Sequence, residues 1–256
     1  RKPADVLDGF HAIQVRMQPN LKKLFTKVPK TPFEIRQTEA FRAASASAEY
    51  TQGTPDGSRP GIFYVPIPDA TKFATTSGME SLFLHEAIPG HHYQLSLQQE
   101  NTSLPKFRRF GSYPTFSEGW AHYAEQMMLD EGFHAGEPKY RLAQLQDALL
   151  RDIRFTVGIK MHTQGMTVDE ATKLFETQGH QPHPVAVSEA KRGTSDALYG
   201  YYTMGKLAIL KLREDYRKKT GTQYSLQKFH DAFIALGPLP MPLIRKAMLG
   251  ESGELF

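Results

Sequence analysis

The sequence predicts a mostly α-helical domain with one short β element, and three observations carry that expectation. Apolar residues recur at helical spacing over long stretches, chiefly 4–27, 139–163 and 202–216. Serine or threonine followed three residues later by glutamate, the pattern that caps a helix N-terminus, occurs at Ser77/Glu80, Thr115/Glu118 and Thr167/Glu170. A single run, Ile62-Phe63-Tyr64-Val65-Pro66-Ile67, carries a strong strand signal.

In chain order, Val6, Phe10, Ile13, Val15, Leu21 and Leu24 give residues 4–27 an apolar helix face that Pro29 and Pro32 end. Residues 34–46 fit a helix or an extended segment, and 51–61 form a turn-rich loop. Pro66 cannot donate to a ladder, so 62–67 is expected as an edge strand. Ser77-Gly78-Met79-Glu80 should start the next helix. Pro105, Gly111 and Pro114 mark 101–114 as a loop. A helix then runs from the Thr115 cap through Trp120, Tyr123 and Met127 to near Gly132. Leu142, Leu145, Leu149, Ile153 and Val157 line the helix over 139–163. Thr167 caps a short helix reaching Phe175, whereas 177–196, with Pro182 and Pro184, is expected as loop. Tyr202–Tyr216 is helical, Ser225 caps a helix to Leu236, and Pro240 and Pro242 precede a last one.

The 256 residues suffice for one large domain or two small ones, and the unbroken succession of apolar faces favours a single domain, 1–256. A hydrophobic fraction of 40% suits a globular protein, and no run of about 18 apolar residues is present to span a membrane. The chain starts at an arginine without a signal-peptide pattern, so it is expected to be a piece of a longer protein. Cysteine is absent, which excludes disulfides, thiolate ligands and a cysteine nucleophile. The net charge of +4 is dispersed, and Arg108-Arg109 and Arg217-Lys218-Lys219 read as solvated faces, not as a nucleic-acid footprint.

Chemistry concentrates in Leu84-His85-Glu86-Ala87-Ile88-Pro89-Gly90-His91-His92. A His-Glu pair on a helix entering the core is the start of a zinc-peptidase site. In the His-Glu-x-x-His form, two histidines four residues apart grip the metal and the glutamate is general base. Here Pro89 holds the fourth place, and the histidines follow six and seven residues after His85. On a straight helix six residues point to roughly the far side, and seven return about 10.5 Å along, too far for bonds of about 2.1 Å. Pro89 and Gly90 stand where a break is required. A bulge absorbing two residues would return His91 to the ligand position, and one absorbing three would return His92. Glu86 remains the candidate base.

A second cluster follows in Glu118-Gly119-Trp120-Ala121-His122-Tyr123-Ala124-Glu125, with Glu118 lying 32 residues after Glu86. Catalytic zinc takes three protein ligands and leaves one position open. In gluzincin peptidases a following helix supplies a glutamate as the third. Glu118 is placed for that role and also for capping its helix. His122 and Glu125 recur on its side at four and seven residues, fit to orient the ligands.

These motifs resemble the C-terminal half of a bacterial family named domain of unknown function 885, which is grouped with the thermolysin-like zinc peptidases. His85-Glu86-x-x-Pro89-Gly90-His91 and Glu118-Gly119-Trp120-Ala121-x-Tyr123-Ala124-Glu125 are the specific parts, with Arg154 and Tyr202-Thr203-Met204-Gly205 as weaker ones. An aspartate frequent in that family four residues after the arginine is Gly158 here. The resemblance implies a zincin-like helical peptidase domain binding Zn²⁺ through His85, His91 and Glu118, acting on a peptide substrate in the bacterial cell envelope or periplasm. It places Tyr202 as oxyanion donor, with Tyr199, Tyr201, His162 and Arg192 competing. His92, His122, Glu125 and Arg154 are further candidates for orienting ligands or binding substrate. His11, His134 and His230 are expected at the surface or in the core. The alternative is a metal-containing binding module that keeps the site's shape without turnover. Glu86 favours the hydrolase, because a structural zinc site has four ligands and needs no free base.

Overall fold

The computed structural model describes residues 2–43, 46–74 and 76–256. The chain is mostly helical. Helix α1 (Pro3–Leu24) buries Val6, Phe10, Ile13, Met17, Leu21 and Leu24, the expected stripe with Met17 in place of the exposed Val15. Three strands follow, β1 (Phe33–Gln37), β2 (Glu49–Thr51) and β3 (Gly61–Val65). They form one sheet in the order β1-β3-β2, with β3 parallel to β1 and antiparallel to β2. The edge-strand expectation for 62–67 is therefore corrected. β3 is central and almost wholly buried, because the ladder stops at Val65 and Pro66 never has to donate to it. Its hydrogen-bonding edges are taken by β1 and β2, so it cannot itself accept an added peptide strand.

The helices continue with α2 (Thr76–Glu86), α3 (His91–Glu100), α4 (Lys106–Phe110) and α5 (Pro114–Asp130). Beyond them lie α6 (Pro138–Gln164), α7 (Val168–Thr177), α8 (His183–Gly193), α9 (Tyr201–Thr220), α10 (Leu226–Leu236) and α11 (Met241–Leu249). Thr167 and Ser225 cap α7 and α10 as expected, each accepting from a backbone N–H three residues on. Glu80 does not cap α2. It lies inside that helix, buried, and takes Arg16 Nη2 at 2.8 Å and His134 Nε2 at 2.6 Å. The loop expected over 101–114 contains α4, and the loop expected over 177–196 contains α8. Pro184 falls in the first turn of α8, where its missing N–H has no helical partner to lose. The face of α6 also differs: Leu142 and Leu145 are exposed, and the helix turns Gln144, Asp147, Arg151 and Arg154 inward.

The main core gathers α1, the sheet, α2, α5 and α9–α11 around Trp120, whose ring stacks with Phe233 at 5.6 Å. A smaller cluster joins α6, α7 and α8 through Ile153, Phe175 and Ala190, with Tyr199 from the turn before α9. Helices α5 and α9 touch through facing glycines. A Cβ on Gly205 would fall 2.2 Å from the Thr115 carbonyl oxygen and 2.6 Å from Gly119 Cα. That contact fixes the stretch of α9 that carries Tyr202 beside the stretch of α5 that carries Glu118. Gly205→Ala should force the helices apart, losing about 1–3 kcal/mol and roughly 3–10 °C in Tm by thermal unfolding. An unchanged Tm would show that the contact is slack.

Candidate metal centre

Helix α2 ends at Glu86, the chain turns through Ala87–Gly90, and α3 begins at His91. The expected bulge is thus a complete break between two helices. Gly90 is required at it, because a Cβ there would sit 1.9 Å from the His85 carbonyl oxygen and 2.3 Å from that of Leu84. The Ile88–Pro89 peptide is cis, and the Pro89 carbonyl accepts a 2.8 Å hydrogen bond from buried Trp120 Nε1. The tryptophan of the second motif thereby holds the turn of the first.

The turn places His91 beside His85, with ring centroids 4.8 Å apart and planes at 86°. His92 faces the sheet instead. Its Nδ1 is 2.9 Å from the Tyr50 hydroxyl, its ring lies 4.5 Å from that of Phe33, and burial lowers its pKa to about 4. Glu118 does not cap α5, whose first flanking residue is Tyr113. It lies one turn in and closes a three-sided cluster with the two histidines. His85 Nε2 and His91 Nε2 stand 3.3 and 3.2 Å from Glu118 Oε2, and the three ligand atoms lie within 4.8 Å of one another.

The donor set fits zinc. Bonds of about 2.0–2.1 Å in a tetrahedron give edges of roughly 3.3–3.4 Å, close to both contacts with Glu118. His85 Nδ1 meets fully buried Glu125 Oε1 at 2.6 Å and Arg151 Nη2 at 3.0 Å. Burial and Arg151 oppose protonation of His85, but Glu118 and Glu125 outweigh them and raise its pKa to about 9. Burial likewise opposes ionisation of Glu118, yet His91 and His85 hold its pKa well below the ordinary range.

Glu125 is the hub behind the ligands. Its Oε1 also receives Arg151 Nη2 at 2.8 Å, and its Oε2 lies 3.3 Å from His122 Nδ1. Burial would protonate it, but Arg151 and His122 keep it ionised. His122 is fully buried and held to about 4 by that burial, so it stays neutral. Glu86, next to His85, is buried and its pKa is raised chiefly by desolvation, with His85 and His91 opposing.

Among the tyrosine candidates, Tyr202 comes to the cluster. Its ring lies 6.3 Å from that of His85, and its hydroxyl accepts from Arg192 Nη2 at 2.9 Å. Tyr199 is buried and donates to Glu189, His162 Nε2 bonds the Gly193 carbonyl at 2.9 Å, and Tyr201 donates to Asp196 at 3.0 Å. Arg154 does not reach the ligands. It forms a two-pronged pair with Glu189 at 2.7 Å for each bond and lies 5.1 Å over the Tyr202 ring. Gly158 packs against Tyr199, where a Cβ would meet the tyrosine Cβ at 2.9 Å. His134 binds Glu80, and His230 is buried between Tyr123 and the Leu24 carbonyl. Three participants escaped sequence reasoning: Arg151, Asp147 and Glu189. The signal for the first two was a polar face on α6 at spacings of three, four and seven residues.

The chain belongs to the family described as bacterial protein of unknown function (DUF885), whose model matches residues 1–248. No curated protein matches it. Similar solved structures include two described as lipoproteins. One is described as the "putative lipoprotein" from Colwellia psychrerythraea, 28% identical with a TM-score of 0.91 over 96% of this chain and 42% of that one. The other is a "putative lipoprotein of unknown function" from Shewanella oneidensis, 26% identical with a TM-score of 0.80 over 97% of this chain and 46% of that one. The chain spans less than half the length of each. Among the described residues, no helix is long and apolar enough to cross a membrane.

Proposed function

We propose that this DUF885 member is a zinc-dependent hydrolase of peptide or related amide bonds, with a zincin-like arrangement of its two motifs. The observation that carries the reading is a three-donor set, His85, His91 and Glu118, with the buried Glu86 carboxyl adjoining it in the chain. Three donors leave a position open, as catalysis requires and a structural site does not. Zinc held there would polarise the scissile carbonyl and acidify a water molecule.

The protein groups divide the remaining work. Glu86 takes a proton from the attacking water as its oxygen bonds to the carbonyl carbon, and returns it to the nitrogen as the C–N bond breaks. Its raised pKa suits a group that must hold that proton between the two steps. The Tyr202 hydroxyl, accepting from Arg192, keeps its own proton for the developing oxyanion. Glu125 and Arg151 fix the His85 ring, and Arg154 lies over the Tyr202 ring, itself held by Glu189. Because both solved neighbours carry lipoprotein in their descriptions, we extend an envelope location to this chain.

The test is metal removal. Hydrolysis of a mixed peptide library should vanish after chelation and dialysis and return with one equivalent of zinc. Zinc-loaded protein that cleaves nothing in the library would overturn the hydrolase and leave a metal-containing binding module.

A further inference from the structure

We propose that a cavity beside the metal cluster receives a large apolar side chain flanking the bond to be cleaved, so that the substrate is a peptide with a hydrophobic or aromatic residue at that place. The inference rests on the hydrolase reading above. The cavity, about 590 Å³, lies where the N-terminus of α5 meets α6 and α9. That size falls in the range of small-ligand sites. Its principal walls are Tyr113, Phe155, Ile159, Leu198, Tyr201 and Met204, and no lining residue is charged, in a chain with 23% charged residues. Leu198 is 75% exposed, Ile159 47%, Tyr113 41% and Met204 38%. Four large apolar side chains left open round one hollow mark a place that something apolar covers.

Continuity with the metal cluster identifies the occupant. Thr115, on the cavity wall, and Glu118 lie one helical turn apart on α5. Tyr201 lines the cavity while Tyr202, its neighbour, faces His85, and the two rings are 4.6 Å apart. Arg192 Nη2 reaches both hydroxyls, at 3.4 Å for Tyr201 and 2.9 Å for Tyr202. A chain lying across Tyr202 would therefore turn a nearby side chain into this hollow. Burying a leucine or phenylalanine there should favour binding by about 10- to 100-fold over aspartate, which would lose its hydration without gaining a partner.

The test uses zinc-loaded protein and fluorescent peptides that differ only in carrying Leu, Phe or Asp at one scanned position. Both affinity, measured on Glu86→Gln, and kcat/KM, measured on the unsubstituted chain, are read. The expected result is a preference of about 10- to 100-fold for Leu or Phe, abolished by Ile159→Glu with zinc content unchanged. Leu198→Glu, at the exposed rim, gives the same reading should Ile159→Glu fold poorly. Hydrolysis without an apolar preference overturns the cavity assignment and leaves the hydrolase standing. An apolar preference in binding without hydrolysis overturns the hydrolase and keeps the cavity as a peptide site. Equal or absent binding of all peptides overturns the proposal. So does a dimer that Leu198→Glu dissociates, which would assign the hollow to a second copy of the chain.

Discussion

Glu86→Gln is expected to bind one zinc per chain as before and to lose peptide hydrolysis by at least about 10²–10⁴-fold. The substitution keeps shape and polarity at a buried position, so His85 and His91 on either side of the break stay in place. It removes only the capacity to take up a proton. Burial already raises the pKa of this carboxyl, so stability should be unchanged or slightly higher once the charge is gone. kcat/KM, zinc content and Tm, measured on one preparation, separate the possibilities. Unchanged turnover would make Glu86 a bystander, whereas lost zinc would mean that it supports the ligands.

The second large effect divides two adjacent histidines. His91→Ala should release the zinc, because it takes away one of three ligands, and the loss should exceed the roughly 10–100-fold that follows removal of an outer partner. His92→Ala should keep the metal. It instead empties a buried site between Tyr50 and Phe33, so its signature is a lower Tm. Metal analysis after dialysis reads the first effect and thermal unfolding the second. Full zinc retention in His91→Ala would sink the cluster as a metal site.

Much of this organisation was legible because local chemistry and fold agree. The stripe of α1, the caps at Thr167 and Ser225 and the Pro89-Gly90 break each follow from one short stretch of sequence. The spacing argument favoured His91 over His92 as the partner of His85, since it needs the smaller bulge, and the path of the turn brings His91 to His85. What was not legible depends on distant residues. Pro66 suggested an edge strand, but the ladder ends one residue earlier, and β1 lay in a segment with no periodic signal. Pro182 and Pro184 hid α8, and with it Glu189, because proline at a helix start resembles proline in a loop. The leucines of α6 drew attention from the helix face that matters. Arg151 is inside because Glu125, 26 residues earlier, is inside and ionised; neither burial can be read without the other.

The hydrogen bond from Trp120 to Pro89 carries a spectroscopic consequence. Trp120 is the single tryptophan of the chain. It is fully buried, and its indole N–H ends on the turn that separates His85 from His91. Any rearrangement of that turn alters the hydrogen bond to the indole and the electric field along it, and with them the emission. The intrinsic fluorescence of the unlabelled protein is therefore a single-site optical gauge of the turn, able to time cation uptake in a stopped-flow mixer without a dye, a chromogenic substrate or a catalytic cycle.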